Sequence, residues 1–200
     1  WIHIHGSSKF PLVGCSHPIH NSRSLFVDQD AAANTVLLSI PLRLTLNRLT
    51  AKEPPLSLQY PTIERVHTTT TPGSTSSIET MAALFLLHAK HTNGKPQSKW
   101  DDYINTLPSR SKLLAFARNQ ITPPLFWTKS QRKNTKSSGI GTLLSELRST
   151  SKAIHHELFR SKSQTFRKAF GKVRVSDFQW ALSMVLSRSF KIPPSLKLNH

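Results

Sequence analysis

Residues 176–186 read SDFQWALSMVL, the stretch that most clearly predicts a packed helix. Its first four residues fit the Ser-x-x-Gln capping box, in which the serine side chain caps the helix and the glutamine reaches back to the cap. Apolar side chains then recur at helical spacing, at Phe178, Ala181, Leu182, Val185 and Leu186. A face of this width predicts a helix that packs against a hydrophobic core.

Three segments upstream have the same helical character, and they begin at Ile78, after Ser98 and after Gly141. The second has Asp101 three residues after Ser98, which is a near capping box, and Leu107-Pro108 ends it. The apolar positions of the three segments are Met81, Leu84, Phe85, Leu87, Ile104, Leu143, Leu144, Leu147, Ile154, Leu158, Phe166 and Phe170. Their spacing predicts helices that share one core.

The first half of the chain has a different pattern. Short apolar runs at 25–27 and 36–42 are separated by a polar link, which predicts two adjacent antiparallel strands. Proline, serine and threonine then dominate up to residue 78 and predict a mobile connector. The predicted divisions are an irregular lead at 1–20, a β segment at 21–50, a connector at 51–78 and a helical region at 79–200. We therefore predict an α+β fold, with a small antiparallel β segment followed by a mostly helical part.

Positive charge is concentrated in the second half of the chain. Residues 103–200 hold eighteen Lys and Arg against three Asp and Glu, whereas residues 1–102 hold nine against seven. A surface of this kind attracts phosphates with an affinity that falls as salt rises. The basic region 103–174 therefore predicts either a solvated basic face or contact with RNA, ribosomes or another acidic partner. No helix-turn-helix, zinc-finger or ribonucleoprotein motif accompanies the charge.

The composition also excludes several classes of protein. The longest apolar run, Met81 to Leu87, is seven residues against the roughly 20 that a membrane span needs, so we expect no membrane contact. A single cysteine excludes a disulfide scaffold. Without a signal-peptide pattern, a cytoplasmic or nuclear location is expected. The chain starts at Trp1, which suggests that it is processed or incomplete.

Three groups of possible metal ligands are present, and none predicts a metal site. Cys15-Ser16-His17 with His20 offers suitable ligand types, but a zinc site usually needs four ligands from two well-spaced pairs. His88 and His91 share a helix face without a nearby Glu that could act as a base. His155 and His156 are adjacent on a helix and therefore point to different faces.

Five separated parts of the chain occur in a recognisable order: residues 21–27 (NSRSLFV), 30–41 (DAAANTVLLSIP), 100–108 (WDDYINTLP), 125–127 with 141–144 (LFW and GTLL), and 178–190 (FQWALSMVLSRSF). Together they resemble the SET-domain protein methyltransferases of the Rubisco large-subunit methyltransferase-like group. The resemblance covers the amino-terminal part and the helical insert of that family. It implies methyl transfer from S-adenosylmethionine to a protein lysine, with a ribosomal protein as one class of substrate.

The resemblance also implies cofactor-binding residues. The first loop of the family contacts the cofactor through its backbone, and Asn21, Ser22 and Arg23 occupy that loop here. Arg188 stands at the arginine of the family's S-R-x-F string, where a guanidinium could hold a carboxylate. Asn199 and His200 match the Asn-His pair that follows a strand in the family.

Two departures from the family pattern bear on activity. Both glycines of the first loop are serines here, Ser22 and Ser24. The catalytic tyrosine of the family would come after residue 200, and neither Tyr60 nor Tyr103 matches it. The sequence therefore predicts a partial lysine N-methyltransferase, a fragment or a degenerate copy, that is inactive alone and has no catalytic residue. The alternative is a basic RNA- or ribosome-binding protein without catalysis.

Overall fold

A computed structural model of the chain describes residues 7–8, 12–16, 23–27, 29–41, 45, 47, 77–91, 100–116, 122–160 and 170–189. Most of these residues are helical. The helices are α1 (Ser77–His91), α2 (Asp101–Thr106), α3 (Arg110–Phe116), α4 (Lys129–Asn134), α5 (Gly139–His155) and α6 (Val175–Leu186). A 3-10 turn at Pro124–Phe126 precedes α4, and a π-helical turn at His156–Arg160 continues α5.

Helices α1 and α6 form the centre of the molecule and pack on each other more extensively than any other pair of elements. Every residue from Met81 to Leu87 is buried, and so is every residue from Phe178 to Val185. A helix that is buried all round must be enclosed by other elements, because one stripe would suffice for a surface helix. The sequence prediction that both segments pack into a core is confirmed, although Leu186 at the end of α6 is 37% exposed.

The short helices α2 and α3 close one side of this pair. Trp100 and Ile104 are buried, and the ring of Trp100 meets Phe85 of α1 edge-on with 5.6 Å between centroids. The indole Nε1 of Trp180 donates a hydrogen bond to the carbonyl of Pro108 at 2.8 Å. This bond fixes the link between α2 and α3 against α6, so the Leu-Pro end of α2 lies where the sequence predicted it.

Helix α5 closes another side and is joined to α6 by polar contacts inside the core. The amide of Gln179 donates to the hydroxyl of Ser151 at 2.9 Å, and both side chains are buried. His155 is also buried, and its Nε2–H donates to the carbonyl of Val173 at 3.0 Å. Its neighbour His156 is exposed, as expected for adjacent positions on a helix.

Two capping predictions are wrong in position. The N-cap of α6 is Arg174, whose backbone N–H donates to the carboxylate of Asp177 at 3.3 Å, so Ser176 already lies inside the helix. The acid is the stronger acceptor and draws the helix start two residues upstream. The N-cap of α2 is Trp100, with no side-chain cap, while Ser98 lies outside the described residues.

The predicted α+β class is wrong. Four short strands are described, β1 (Ser7–Ser8), β2 (Leu12–Ser16), β3 (Arg23–Val27) and β4 (Leu38–Ser39), and they pair only in twos. The runs at 25–27 and 36–42 do not pair with each other, because β3 pairs with β2 and β4 pairs with β1. Among the residues whose burial the structure describes, the hydrophobic core lies between Met81 and Val185, in the helical part of the chain.

The described residues cover some of the predicted divisions of the chain and leave out most of others. Most of the irregular lead at 1–20 and the connector up to residue 76 lie outside the described residues. Ser77 and Ile78, which were assigned to the connector, belong to α1. Within the described residues, none of the helices combines the length and the hydrophobicity needed to cross a bilayer.

Candidate anion-binding groove

A groove of about 500 Å³ lies between α4 and the part of α5 from Gly141 to Lys152. Helix α4 is only six residues long, and reciprocal capping holds its start. The backbone N–H of Gln131 donates to the hydroxyl of Thr128 at 3.3 Å, and the backbone N–H of Thr128 donates to the side chain of Gln131 at 2.8 Å. Such a capping box satisfies two backbone donors that a short helix would otherwise leave open.

The turn between α4 and α5 is tight because Gly141 has no side chain. A Cβ at this position would lie 2.0 Å from the carbonyl oxygen of Thr135, far inside a normal contact. Ser138 caps α5 by accepting from the backbone N–H of Gly141 at 3.4 Å. The chain therefore reverses within four residues, and both helices face the same groove.

Six cationic side chains line the groove. Three of its α5 positions are Ser145, Arg148 and Lys152, which share one face of the helix. The cations are Lys129, Arg132, Lys133, Lys136, Arg148 and Lys152. No acidic and no aromatic side chain lines the groove among the described residues, and no carboxylate there forms an ion pair with any of the six.

The two arginines of the groove are positioned by the 3-10 turn. Arg132 donates to the carbonyl of Trp127 at 2.5 Å, and Arg148 donates to the carbonyl of Leu125 at 2.8 Å. Burial lowers the pKa of Arg148, and the charge of Arg132 lowers it further. Two like charges are therefore held close enough to repel each other, which an anion between them would relieve.

Only one of the predicted cofactor-binding side chains can be placed. Arg188 is exposed beyond the end of α6, and its guanidinium donates to the hydroxyl of Ser187 at 2.7 Å and approaches the sulfur of Met184 at 3.5 Å. Arg23 lies in β3, where only its backbone is described. The other four predicted residues, Asn21, Ser22, Asn199 and His200, lie outside the described residues.

Two of the strings that carry the family resemblance lie side by side. Trp180 of the second string bonds to Pro108 of the first, as described above. Tyr103 of the first string is half-buried, and burial raises its pKa while the charge of Arg188 opposes that rise. Trp180 and Pro108 are 72 residues apart in the sequence, so the two strings meet at the junction of α2, α3 and α6.

The candidate metal ligands do not assemble into a site where they are described. His88 is half-buried and meets the ring of Phe170 edge-on, with 5.6 Å between centroids. Of the histidine and cysteine lead, only the backbone of Cys15 and Ser16 is described, in β2. Among the residues that the structure describes, no three His, Cys, Asp or Glu side chains are grouped for a metal ion.

The basic region 103–174 contains all six groove cations, but the predicted region did not single out Arg148 and Lys152. Their spacing of four on the predicted helix after Gly141 was an available signal, since it places both on one face. By contrast, Lys172 and Arg174 were counted in the same basic region but are exposed outside the groove. The distribution of charge along the sequence therefore did not distinguish the cations of the groove from the exposed cations outside it.

Comparisons with known proteins found nothing similar: no family model matches the chain, and no curated protein and no solved structure matches it either. The likeness to SET methyltransferases therefore consists of the five strings alone.

Proposed function

We propose that the chain binds RNA through the groove between α4 and α5, without catalysing a reaction. The observation that carries this proposal is the set of six cations in one groove whose lining, within the described residues, includes no acidic side chain. Cations on a globular surface are usually interspersed with acids, so an uncompensated group of six favours an anionic partner. Two helices and the turn between them carry the six cations, which suits a backbone of regularly spaced phosphates.

The composition of the groove indicates which part of RNA it contacts. Lysine and arginine side chains neutralise phosphates and release bound counterions, whereas base reading needs stacking aromatics or shaped polar pockets. The lining within the described residues supplies cations, Thr135, two serines and apolar contact at Leu144, but no aromatic ring. Binding is therefore expected to depend on phosphates and to show little preference for base sequence.

The test compares two variants with the same change in net charge. Lys133→Glu/Lys136→Glu removes two groove cations, and Lys112→Glu/Lys172→Glu removes two exposed cations outside the groove. Fluorescence anisotropy with a labelled single-stranded oligoribonucleotide measures the affinity. We expect a loss of about tenfold or more for the groove variant and less than about threefold for the control, because direct phosphate contacts outweigh distant charge.

The salt dependence supplies a second measure of the same proposal. For single strands, log K falls with log salt with a slope of about −0.7 per phosphate neutralised. The wild-type slope should be about −3 or steeper, and the groove variant should lose about one unit of it. Equal losses for the groove and control variants, or a flat salt dependence of the wild type, would contradict the proposal.

A second candidate function is favoured by a separate observation, the contact between the two family-like strings at Trp180 and Pro108. In that case the region around Arg188 binds S-adenosylmethionine together with the loop at residues 21–23, as a partial lysine methyltransferase. This candidate draws support from the strings and their packing, and not from the α+β class, which is wrong.

Calorimetry with S-adenosylhomocysteine tests the second candidate directly. The wild type should release measurable binding heat, and Arg188→Ala should abolish it while Arg174→Ala, which removes an exposed arginine at the other end of α6, should not. No methyl transfer to ribosomal proteins or lysine peptides is expected, because no residue of the chain matches the family's catalytic tyrosine. Absence of any heat from the wild type would rule this candidate out.

A further inference from the structure

The two arginines of the groove differ from its four lysines in how they are held. Each guanidinium donates one N–H to a backbone carbonyl. Arg132 donates to the carbonyl of Trp127, and Arg148 donates to that of Leu125. A guanidinium carries five N–H donors, so each arginine keeps four for a ligand. Because both carbonyls belong to the same short turn and the link that follows it, the two guanidinium groups enter the groove from one fixed support.

We infer that Arg132 and Arg148 form a clamp for the phosphomonoester at the end of a nucleic-acid strand. This inference rests on the proposed function and adds to it a chemical class of ligand, a terminal phosphate. Planar guanidinium forks bind phosphate oxygens in pairs, which lysine ammonium groups cannot do. The clamp is the part of the groove where such paired contacts are available.

The charge of the ligand decides between a terminal and an internal phosphate. A phosphomonoester carries about −1.5 to −2 near pH 7, because its second pKa is about 6, whereas an internal phosphodiester carries one negative charge. No carboxylate among the described residues neutralises either arginine by an ion pair. Two adjacent cations without a counterion gain more from a dianion than from a monoanion.

The rest of the groove decides between a nucleic acid and a phosphorylated peptide. Four lysines, Lys129, Lys133, Lys136 and Lys152, line the groove beside the two arginines. A strand whose end sits in the clamp carries further phosphates to these lysines. A peptide with a single phosphoserine has no such groups, so it would leave the four lysines without ligand contacts.

The experiment measures the affinities of the full chain for two labelled oligonucleotides of the same sequence, one with a 5′-phosphate and one with a 5′-hydroxyl. The wild type should prefer the phosphorylated strand by about fivefold or more at moderate salt. Arg148→Lys and, separately, Arg132→Lys keep the net charge but remove the fork, and each should reduce the preference below about twofold. Arg174→Lys, the same change at an exposed site outside the groove, should leave the preference unchanged.

The pH dependence of the preference for the phosphorylated strand provides a check that partial unfolding of a variant would not reproduce. Between pH 7.5 and about 5.5 the phosphomonoester gains a proton, so the preference for the phosphorylated strand should decline while binding of the 5′-hydroxyl strand changes less. A third probe, a singly phosphorylated serine peptide without other acidic residues, should bind at least tenfold more weakly than the phosphorylated strand.

The outcomes separate this inference from the proposed function. If the wild type binds neither oligonucleotide with a salt dependence, the proposed function fails. If it binds both equally well, RNA binding stands and the clamp is refuted. A preference that survives in both lysine variants also refutes the clamp, and a phosphopeptide that binds as tightly as the phosphorylated strand refutes the assignment to nucleic acid.

Discussion

The partners of positively charged side chains differ between two parts of the molecule, the junction of α3 with α6 and the groove between α4 and α5. At the junction, Arg110 pairs with Asp177 at 3.2 Å, and the Nζ of Lys90 lies 3.8 Å from the centre of the Trp180 ring. Burial lowers the pKa of Lys90, and Asp177 opposes that shift. In the groove, six cations have no acidic neighbour among the described residues. Paired charges indicate a structural role, and unpaired charges indicate a binding surface.

The largest expected effect is a loss of stability when a buried side chain of α6 is truncated, compared with truncation of an exposed side chain of α5. Phe178→Ala empties a fully buried position in α6, and such changes cost about 3–5 kcal/mol. The control Leu143→Ala lies on α5 at 66% exposure and should change the free energy of unfolding by less than about 0.5 kcal/mol. Urea denaturation followed by circular dichroism measures both. A comparable loss for Leu143→Ala would mean that the outer face of α5 is covered in solution.

The next effect concerns the turn that brings the two groove helices together. Gly141→Ala places a methyl group 2.0 Å from a backbone oxygen and should cost about 1–3 kcal/mol, as overpacking does. Gly139→Ala in the same helix meets nothing within 4 Å and should be neutral or stabilising by up to about 1 kcal/mol. If Gly141→Ala unfolds at the same urea concentration as the wild type, the close approach of Gly141 to the backbone of Thr135 is contradicted.

A smaller effect tests whether the junction charges are structural. Asp177→Asn removes the ion pair with Arg110 and weakens the acceptor at the start of α6. Both side chains are about a third exposed, so we expect a loss of about 0.5–1 kcal/mol that shrinks in high salt. Thermal unfolding at low and high salt measures it. For Glu146→Gln, an exposed acid of α5, no comparable loss is expected.

The smallest effect is the titration of Tyr103 beside Arg188. Because burial raises its pKa, the native state keeps a proton that the unfolded chain releases above about pH 10. Stability should therefore fall as pH rises above that value, since the native state then binds more protons. The ultraviolet absorbance of phenolate in a Tyr60→Phe background follows Tyr103 alone, with the urea-unfolded chain as reference. Ionisation at the same pH in both states would contradict the placement of Tyr103.

Sequence patterns predicted the helical part well because its signal is local. The apolar spacing in 78–88 and 178–185 needs only one helix period to be read, and both segments are the buried α1 and α6. The strand pairing was mispredicted because the actual partner of β3 lies in a segment without a recognisable strand pattern. Residues 12–16 contain Gly14 and Cys15 and no clear alternation, yet they pair with β3.

The groove shows a different limit of sequence reasoning. Positive charge after residue 103 was evident, but the cations that share a groove were not, because the reversal at residues 135–141 decides which of them meet. That reversal depends on Gly141 lying against Thr135, a contact that no periodic pattern encodes. The capping shift at α6 has a local origin, since the carboxylate of Asp177 accepts from the backbone N–H of Arg174, three residues before it.

The π-helical turn after α5 is a place where the deletion of a single residue would change the packing of the core. His155, Leu158 and Phe159 are buried at this turn, and the rings of Phe159 and Phe170 meet edge-on with 5.8 Å between centroids. Each α-helical residue advances the direction of its side chain by about 100°. A single-residue deletion at 156, 157 or 158 would therefore turn Phe159 by about 100° relative to α5 and break its contact with Phe170, whereas a deletion in a surface loop would not change the direction of core side chains.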